Sequence, residues 1–295
     1  MSLWGDIYAA IERTTGSPVR AHPPQSIAGG SINRTAVIGE VDARYFVKLN
    51  DAPGSLKMFE AEAAGLRLLA QPRALRVPQP ISCGSSGTTA YLVLEHIALG
   101  RGGAAGDARL GAGLAAIHRI TRPRFGWDRD NTIGSTPQIN RQSDDWVSFY
   151  RDQRLGFQLE LAERNGHAGV LTKAGFRLLE ALPLLCADHR PAASLLHGDL
   201  WGGNAAVDCD GAAVVYDPAV YFGDRETDLA MTELFGGFGA AFYEAYKSAW
   251  PLESGYEVRR DLYQLYHVLN HLNLFGAGYA GSAQRLIDRL LAAVR

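Results

Sequence analysis

The sequence predicts an α+β chain in two lobes. The first lobe is small and built on an antiparallel β-sheet with one main helix; the second is larger and mostly helical. Three observations predict this. Residues 25–50 and 89–97 carry short alternating apolar runs of strand type. Residues 55–71 switch to helical spacing, and beyond Ile97 most of the periodicity is helical. The expected boundary separates residues 1–97 from 98–295.

Each element follows in order. Leu3, Trp4, Ile7, Tyr8 and Ile11 fit one face of a short helix. "SIAGGSINRTAVIGEV" alternates on each side of Gly29-Gly30, as two strands joined by a glycine turn would. "RYFVKLN" (44–50) is a third strand. In "SLKMFEAEAAGLRLLAQ", Leu56, Phe59, Ala63, Leu66 and Leu69 share a helix face, and Pro72, Pro78 and Pro80 end the helix. "TAYLVLEHI" (89–97) is an apolar strand, and "ALGRGGAAGDA" after it has the composition of a loop or hinge. "LGAGLAAIHRI", the long amphipathic "DDWVSFYRDQRLGFQLELAERNG" and "LTKAGFRLLEALPLLCADH" are helices. Short strands return around "LLHGDLWGGNAAVDCDGAAVVYDPA", with Asp210-Gly211 as a hairpin turn; 226–295 is helical again. A cleft between two such lobes is a common place for a small-molecule site.

Composition narrows the functional classes. The 295 residues are 47% hydrophobic and 20% charged, as in ordinary soluble globular proteins. A net charge of −2 gives no general attraction to nucleic acid or to an anionic membrane. No apolar run approaches the roughly 20 residues that span a bilayer. The N-terminus lacks a basic start and an apolar signal core. Cys83, Cys186 and Cys209 are odd in number and lack metal-ligand spacing, which favours a reducing compartment. The expectation is a cytoplasmic protein.

The chemistry concentrates in "LLHGDLWGGN" (195–204). A lone aspartate beside glycine reads as a turn or cap residue. Asp199, however, is followed by Asn204 at +5, and Asp217 ends an apolar strand 13 residues later. A hairpin over 205–208 and 212–216 would bring Asn204 and Asp217 together at its open ends. Their two oxygens suit a hard cation such as Mg²⁺, which favours one or two protein side chains plus phosphate oxygens. Asp199 would then stand beside the metal, placed to orient a hydroxyl and receive its proton. Asp228 reads either as a brace accepting backbone N–H bonds of the loop or as the N-cap of the next helix.

Asp, Asn at +5 and Asp at the next strand end together resemble the catalytic loop and metal aspartate of protein-kinase-like phosphotransferases. The His-Gly-Asp form resembles the branch that phosphorylates small molecules, including aminoglycoside and choline kinases. That resemblance implies that residues 1–97 form a nucleotide-binding lobe and 98–295 a catalytic and substrate-binding lobe. Lys48 would neutralise ATP phosphates, paired with Glu62 or Glu60 on the following helix. The Glu62 choice rests on leucines at +4, +6 and +7, which turn it toward the strand. Gly29, Gly30 and Ser31 would form the turn covering the nucleotide, their backbone N–H groups approaching phosphate. The backbone at Glu95 and Ile97 would read the adenine edges.

"HGDLWGGN", "DPAVYFGDRETDLAMTELFGGF" and "LYQLYHVLNHLNLFGAGY" resemble the fructosamine kinase (ketosamine-3-kinase) family, and the resemblance extends over nearly the whole chain. It implies phosphorylation of O3 of a ketosamine, free or on a glycated protein lysine, in deglycation. Trp201 would offer an indole face to the sugar, or else pack under the loop. His271 would contact a substrate hydroxyl, or else be a satisfied helix histidine. Ser31 stands where some members carry cysteine, so redox control through that position is not expected. An aminoglycoside- or choline-type kinase would want acids late in the chain, and 255–282 offers only Glu257 and Asp261. A nucleotide-binding pseudokinase would be expected to lack Lys48, Asp199 or Asp217, and all three are present.

Overall fold

The computed structural model describes residues 2–20, 22–27, 32–40 and 43–294. Gly29, Gly30 and Ser31, expected to cover a nucleotide, lie outside the described residues. The first lobe opens with helix α1 (Leu3–Thr15), whose Ser2 cap accepts the Gly5 N–H, and which stops at Gly16 in a left-handed conformation. Strands β1 (Gln25–Ser26), β2 (Arg34–Glu40) and β3 (Ala43–Asn50) follow, then helix α2 (Ser55–Ala70) and strands β4 (Pro80–Ser86) and β5 (Thr89–Glu95). They form one antiparallel sheet in the order β1-β2-β3-β5-β4.

Alternation along β3 and β5 assigns the two faces. Val47, Leu49, Tyr91 and Val93 pack against Ile7 and Ile11 of α1. Phe46, Leu92 and Leu94 pack on the other side with Phe59, Leu66 and Leu69 of α2. Lys48 lies on this second face, opposite Leu92, so its stem is buried and its head reaches α2. Strand β4 is not visible in the sequence pattern, where Pro78 and Pro80 read only as helix breakers. Pro80 is the first residue of an edge strand, where its missing N–H is tolerated, and the register shifts between Pro80 and Ser82.

The second lobe begins with α3 (Ala104–His118). The Gly/Ala-rich stretch expected to be a loop is therefore helical in its second half. Short strands β6 (Thr121–Arg122), β7 (Asn131–Ile133) and β8 (Thr136–Gln138) follow, the last two forming a hairpin. The single helix expected over 144–166 is broken: α4 (Trp146–Tyr150), a wide π-type turn at Arg151–Gly156, α5 (Phe157–Ala162) and a second wide turn at Glu163–His167. Next come α6 (Val170–Leu185), β9 (Ala193–Leu196), β10 (Ala205–Val207), β11 (Ala213–Val215) and β12 (Tyr221–Gly223). Helices α7 (Glu226–Thr232), α8 (Ala240–Ala249), α9 (Tyr256–Phe275) and α10 (Ala280–Ala293) complete the chain.

Strands β12, β9 and β6 make a small sheet in that order, and residues 197–204 leave it from the end of its central strand, β9. Helix α3 packs so closely on α8 that a Cβ on Gly111 would lie 2.1 Å from the Phe242 carbonyl oxygen. Tyr263 and Leu269 of α9 are fully buried, and Tyr266 nearly so, as core residues. Among the described residues no helix is long and apolar enough to cross a membrane.

Candidate active site

The site grows out of the chain between β9 and β12. His197 N–H donates to Asp228 Oδ2 at 2.7 Å, and Gly198 N–H donates to Asp228 Oδ1 at 2.8 Å. Asp228 lies within α7 rather than capping it; Asp224 instead accepts the Glu226 N–H at 3.0 Å. The reading of Asp228 as an N-cap is thereby corrected. Gly198 has φ of 82°, and a Cβ there would sit 2.0 Å from the Ala219 carbonyl oxygen, so only glycine fits. Burial keeps the His197 imidazole below its ordinary pKa, and its Nε2 bonds the Tyr216 carbonyl at 3.0 Å.

The β10–β11 hairpin closes through Ala205 opposite Val215, and the Tyr216 N–H donates to the Asn204 carbonyl at 3.0 Å. Asn204 and Asp217 therefore meet at its open end, with Asn204 Nδ2 reaching the Asp217 carbonyl at 3.5 Å. The same Nδ2 donates to the Asp199 carbonyl at 2.8 Å and to Asp199 Oδ2 at 3.3 Å. This orients the carboxamide with its oxygen away from Asp199. Asp217 has φ of 56°, a left-handed conformation that costs a residue with a side chain about 1–2 kcal/mol. Such strain clusters at functional sites.

Lys48 Nζ donates to Glu62 Oε1 at 2.5 Å and to Asp217 Oδ1 at 2.6 Å. Of the two acids on α2, Glu62 makes the pair and Glu60 is exposed. The close approach of α2 that permits this passes through Gly65, where a Cβ would meet Val220 Cγ2 at 3.0 Å. Burial opposes the Lys48 charge, but Asp217 and Glu62 outweigh it and hold the ammonium above its ordinary pKa. Burial raises the Glu62 carboxyl despite the lysine beside it. Burial, then the negative charges of Asp217 and Asp228, push Asp199 up to about 7 against the hydrogen bond from Asn204.

Two cavities meet at this point. One of about 480 Å³ runs under the sheet to the interlobe connection, lined by Phe46, Leu94, Glu95, His96, Ile97 and Tyr216. The other, of about 400 Å³, lies between α2, the β7–β8 hairpin and α9, and contains Asp199, Glu62 and His271. Lys48, Trp201, Asn204 and Asp217 line both. Trp201 is 40% exposed and so is not a core residue under the loop. The Glu95 N–H is already bonded to the Gln79 carbonyl at 2.8 Å, so its backbone could offer a ligand the carbonyl but not the N–H. Its side chain pairs with Arg76, which also bonds Asp208 at 2.7 Å. The His271 Nδ1 donates to the His267 carbonyl at 2.8 Å, while burial lowers the ring's pKa; Nε2 is left as an acceptor. Its ring sits 4.6 Å from Phe235 and 5.4 Å from Phe275, centroid to centroid.

The donor set fits a hard divalent cation. Asn204 turns its carboxamide NH₂ inward, and Asp217 uses one carboxylate oxygen on Lys48, so each retains an oxygen without a partner among the described residues. Sequence reasoning did not reach the β7–β8 hairpin, where Asn131, Thr132 and Gly134 line the second cavity, nor Phe275, and it took in Asn270 only as one of several polar residues over 255–282 suited to neutral hydroxyls. The only signal was a cluster of polar residues over 128–145, which carries no periodicity.

The fructosamine kinase family profile matches residues 3–293. The chain belongs to the fructosamine kinase family. "Probable ketoamine kinase" from Synechocystis is 47% identical over 98% of this chain and 97% of its own length. "Protein-ribulosamine 3-kinase, chloroplastic" from Arabidopsis thaliana is 42% identical over 94% of this chain and 85% of its own. A solved candidate fructosamine-3-kinase from Haemophilus somnus superposes with a TM-score of 0.91 at 29% identity, covering 98% of both chains. The aminoglycoside phosphotransferase APH(4)-Ia, at 17% identity and a TM-score of 0.64 over 98% of both chains, shares the protein-kinase-like fold. This fructosamine kinase family member is thus an ATP-using phosphotransferase, with the two-lobed architecture expected of it.

Proposed function

We propose that the chain transfers the γ-phosphoryl group of ATP to O3 of a ketosamine, such as a fructosamine or ribulosamine, in deglycation of amines or protein lysines. One observation carries the reading: Asp199, Asn204 and Asp217 are held together beside Lys48 where two cavities meet. The nucleotide occupies the cavity that reaches Glu95 and Ile97, with the Glu95 carbonyl and the Ile97 N–H toward the adenine. The lobe boundary falls after Ile97. Gly29, Gly30 and Ser31 contribute to nucleotide binding through backbone N–H groups. The sugar occupies the cavity that holds Asp199, against Trp201 and His271.

Asp199 orients the attacking hydroxyl and takes its proton as the new oxygen–phosphorus bond forms and the bond to the leaving ADP oxygen breaks. A pKa near 7 suits that task, because the group then exists as a base at neutral pH and holds a proton well. Lys48, held by Glu62, neutralises phosphate charge. Asn204 and Asp217 are the ligands for Mg²⁺, which when bound supplies further charge neutralisation on phosphate oxygens. Catalysis is then alignment and electrostatic stabilisation.

The sugar-side cavity favours neutral hydroxyls over a polycation. Its acids are Glu62, Asp199 and Asp217, all engaged in the roles above, and its other polar walls are Lys48, amides, Thr132, His271 and the Trp201 indole. The working compartment is the cytoplasm. The test is ADP formation with synthetic fructosamine and ribulosamine, set against kanamycin and choline. Turnover confined to the ketosamines, with phosphate at O3, is expected; turnover of kanamycin or choline in preference would overturn the reading.

A further inference from the structure

Asn270 is 2% exposed, yet it lines the cavity that contains Asp199. Its Oδ1 accepts a hydrogen bond from Gln158 Nε2 at 3.1 Å, while its Nδ2 donates to no group of the described chain. That NH₂ is therefore left able to donate to a group held in the cavity.

The orientation of that amide is dictated from outside the cavity. Asn273 Nδ2 donates to the Gln158 backbone carbonyl at 3.0 Å, and a carbonyl can only accept. The same Nδ2 therefore donates to Gln158 Oε1 at 2.8 Å, which leaves Gln158 Nε2 to face Asn270. Asn273 Oδ1 in turn accepts from Asn165 Nδ2 at 3.1 Å. Gln158 lies between the two wide π-type turns, at Arg151–Gly156 and Glu163–His167, and Asn165 lies within the second. Widened turns of this kind recur at functional sites. The result is a run of carboxamides with one polarity, ending in a donor directed at the cavity.

We propose that Asn270 is a specificity-determining residue that donates to a hydroxyl at C4, C5 or C6 of the ketosamine, and that Gln158 and Asn273 are positioning residues that fix its donor polarity. The proposal rests on the ketosamine reading above. Asn270→Asp keeps an acceptor for Gln158 and presents no donor. Gln158→Glu still accepts from Asn273 but can no longer donate, so the Asn270 amide turns over and shows its oxygen to the cavity.

In steady-state assays each variant raises KM for fructosamine about tenfold, the worth of one hydrogen bond, while KM for ATP and kcat stay within about twofold. Fructosamines lacking the hydroxyl at C4, C5 or C6 supply a second measurement on the wild type. One of them loses about tenfold in kcat/KM, and Asn270→Asp shows no further loss with that analogue alone. Unchanged KM for fructosamine in both variants overturns the proposal, as does an equal loss across every analogue. If either variant fails to fold, equal kcat/KM for all three analogues on the wild type overturns it. Absence of ADP formation by the wild type with any ketosamine overturns the functional reading first, and this inference with it.

Discussion

Asp228→Asn replaces one oxygen of the brace with an NH₂ group and changes almost nothing in volume. The carboxylate accepts from the Gly198 N–H on Oδ1 and from the His197 N–H on Oδ2, with His118 Nε2 3.1 Å from Oδ2. A carboxamide can face these groups in two ways. With its NH₂ toward Gly198 it loses that backbone bond; with its NH₂ toward His197 it loses the other, although His118 could then accept by changing tautomer. Either way one buried N–H is orphaned and the remaining bonds lose their charge assistance. The cost is about 2–4 kcal/mol. With a urea m-value of about 3 kcal/mol/M, the midpoint falls by about 1 M. Burial works against the Asp228 carboxylate, but hydrogen bonding to His118 and the Gly198 N–H outweighs it and holds the carboxyl below its ordinary range. A depressed folded pKa means that the stabilisation is present above the unfolded value, about 3.9, and lost as pH falls through the folded one. The gap between wild type and variant should therefore stay constant from pH 8 to 5 and narrow only below about pH 4. Because the braced amides belong to the residues just before Asp199, kcat should fall as well, with KM for ATP little changed. A variant within about 0.5 kcal/mol of wild type at pH 7, with unaltered kcat, would refute the reasoning.

Three further outcomes follow from the site. Asp199→Asn should leave ATP binding nearly intact and lower kcat by about 10²–10⁴, the worth of a positioned general base; near-normal turnover would remove Asp199 from its role. In the wild type, the raised Asp199 pKa puts the base in its protonated form below about pH 7, so kcat/KM should decline on the acid side of that value. Asp217→Ala should weaken ATP binding measured in the presence of Mg²⁺ much more than binding measured without it, which titration calorimetry separates.

Much of the site was legible because its signals are local. A lysine in an apolar strand, a glutamate 14 residues on along a helix face, and Asp, Asn and Asp spaced across one loop and one hairpin all sit within short windows. Hairpin geometry then does the rest: strands of three residues, paired Ala205 to Val215, force Asn204 and Asp217 together. The choice of Glu62 over Glu60 was also local, since the leucines after it mark the buried side of α2. Asp228 was harder, because an acid near a helix start serves as cap or brace equally well until the fold shows which backbone N–H groups it meets.

What escaped the sequence depends on contacts between segments that are far apart. Pro78, Pro80 and Gly84 disguise β4, and only its pairing with β5 makes a strand of it. A periodic pattern over 144–166 looks like one helix, because a π-type turn inserts a residue without disturbing the apolar count; yet those turns bracket the residue that orients Asn270. Arg76 joins Glu95 of the interlobe connection to Asp208 of the hairpin that carries Asn204 and Asp217, across 132 residues of chain, and no spacing rule reports it. The charged groups gathered around Lys48, with Trp201 and His271, were therefore readable in the residues themselves, whereas the contacts that orient the cavity's amides were not. Phosphate chemistry demands a few charged groups at fixed local spacings. A neutral sugar demands only amides and rings, and their meaning depends on what the surrounding fold leaves unpaired.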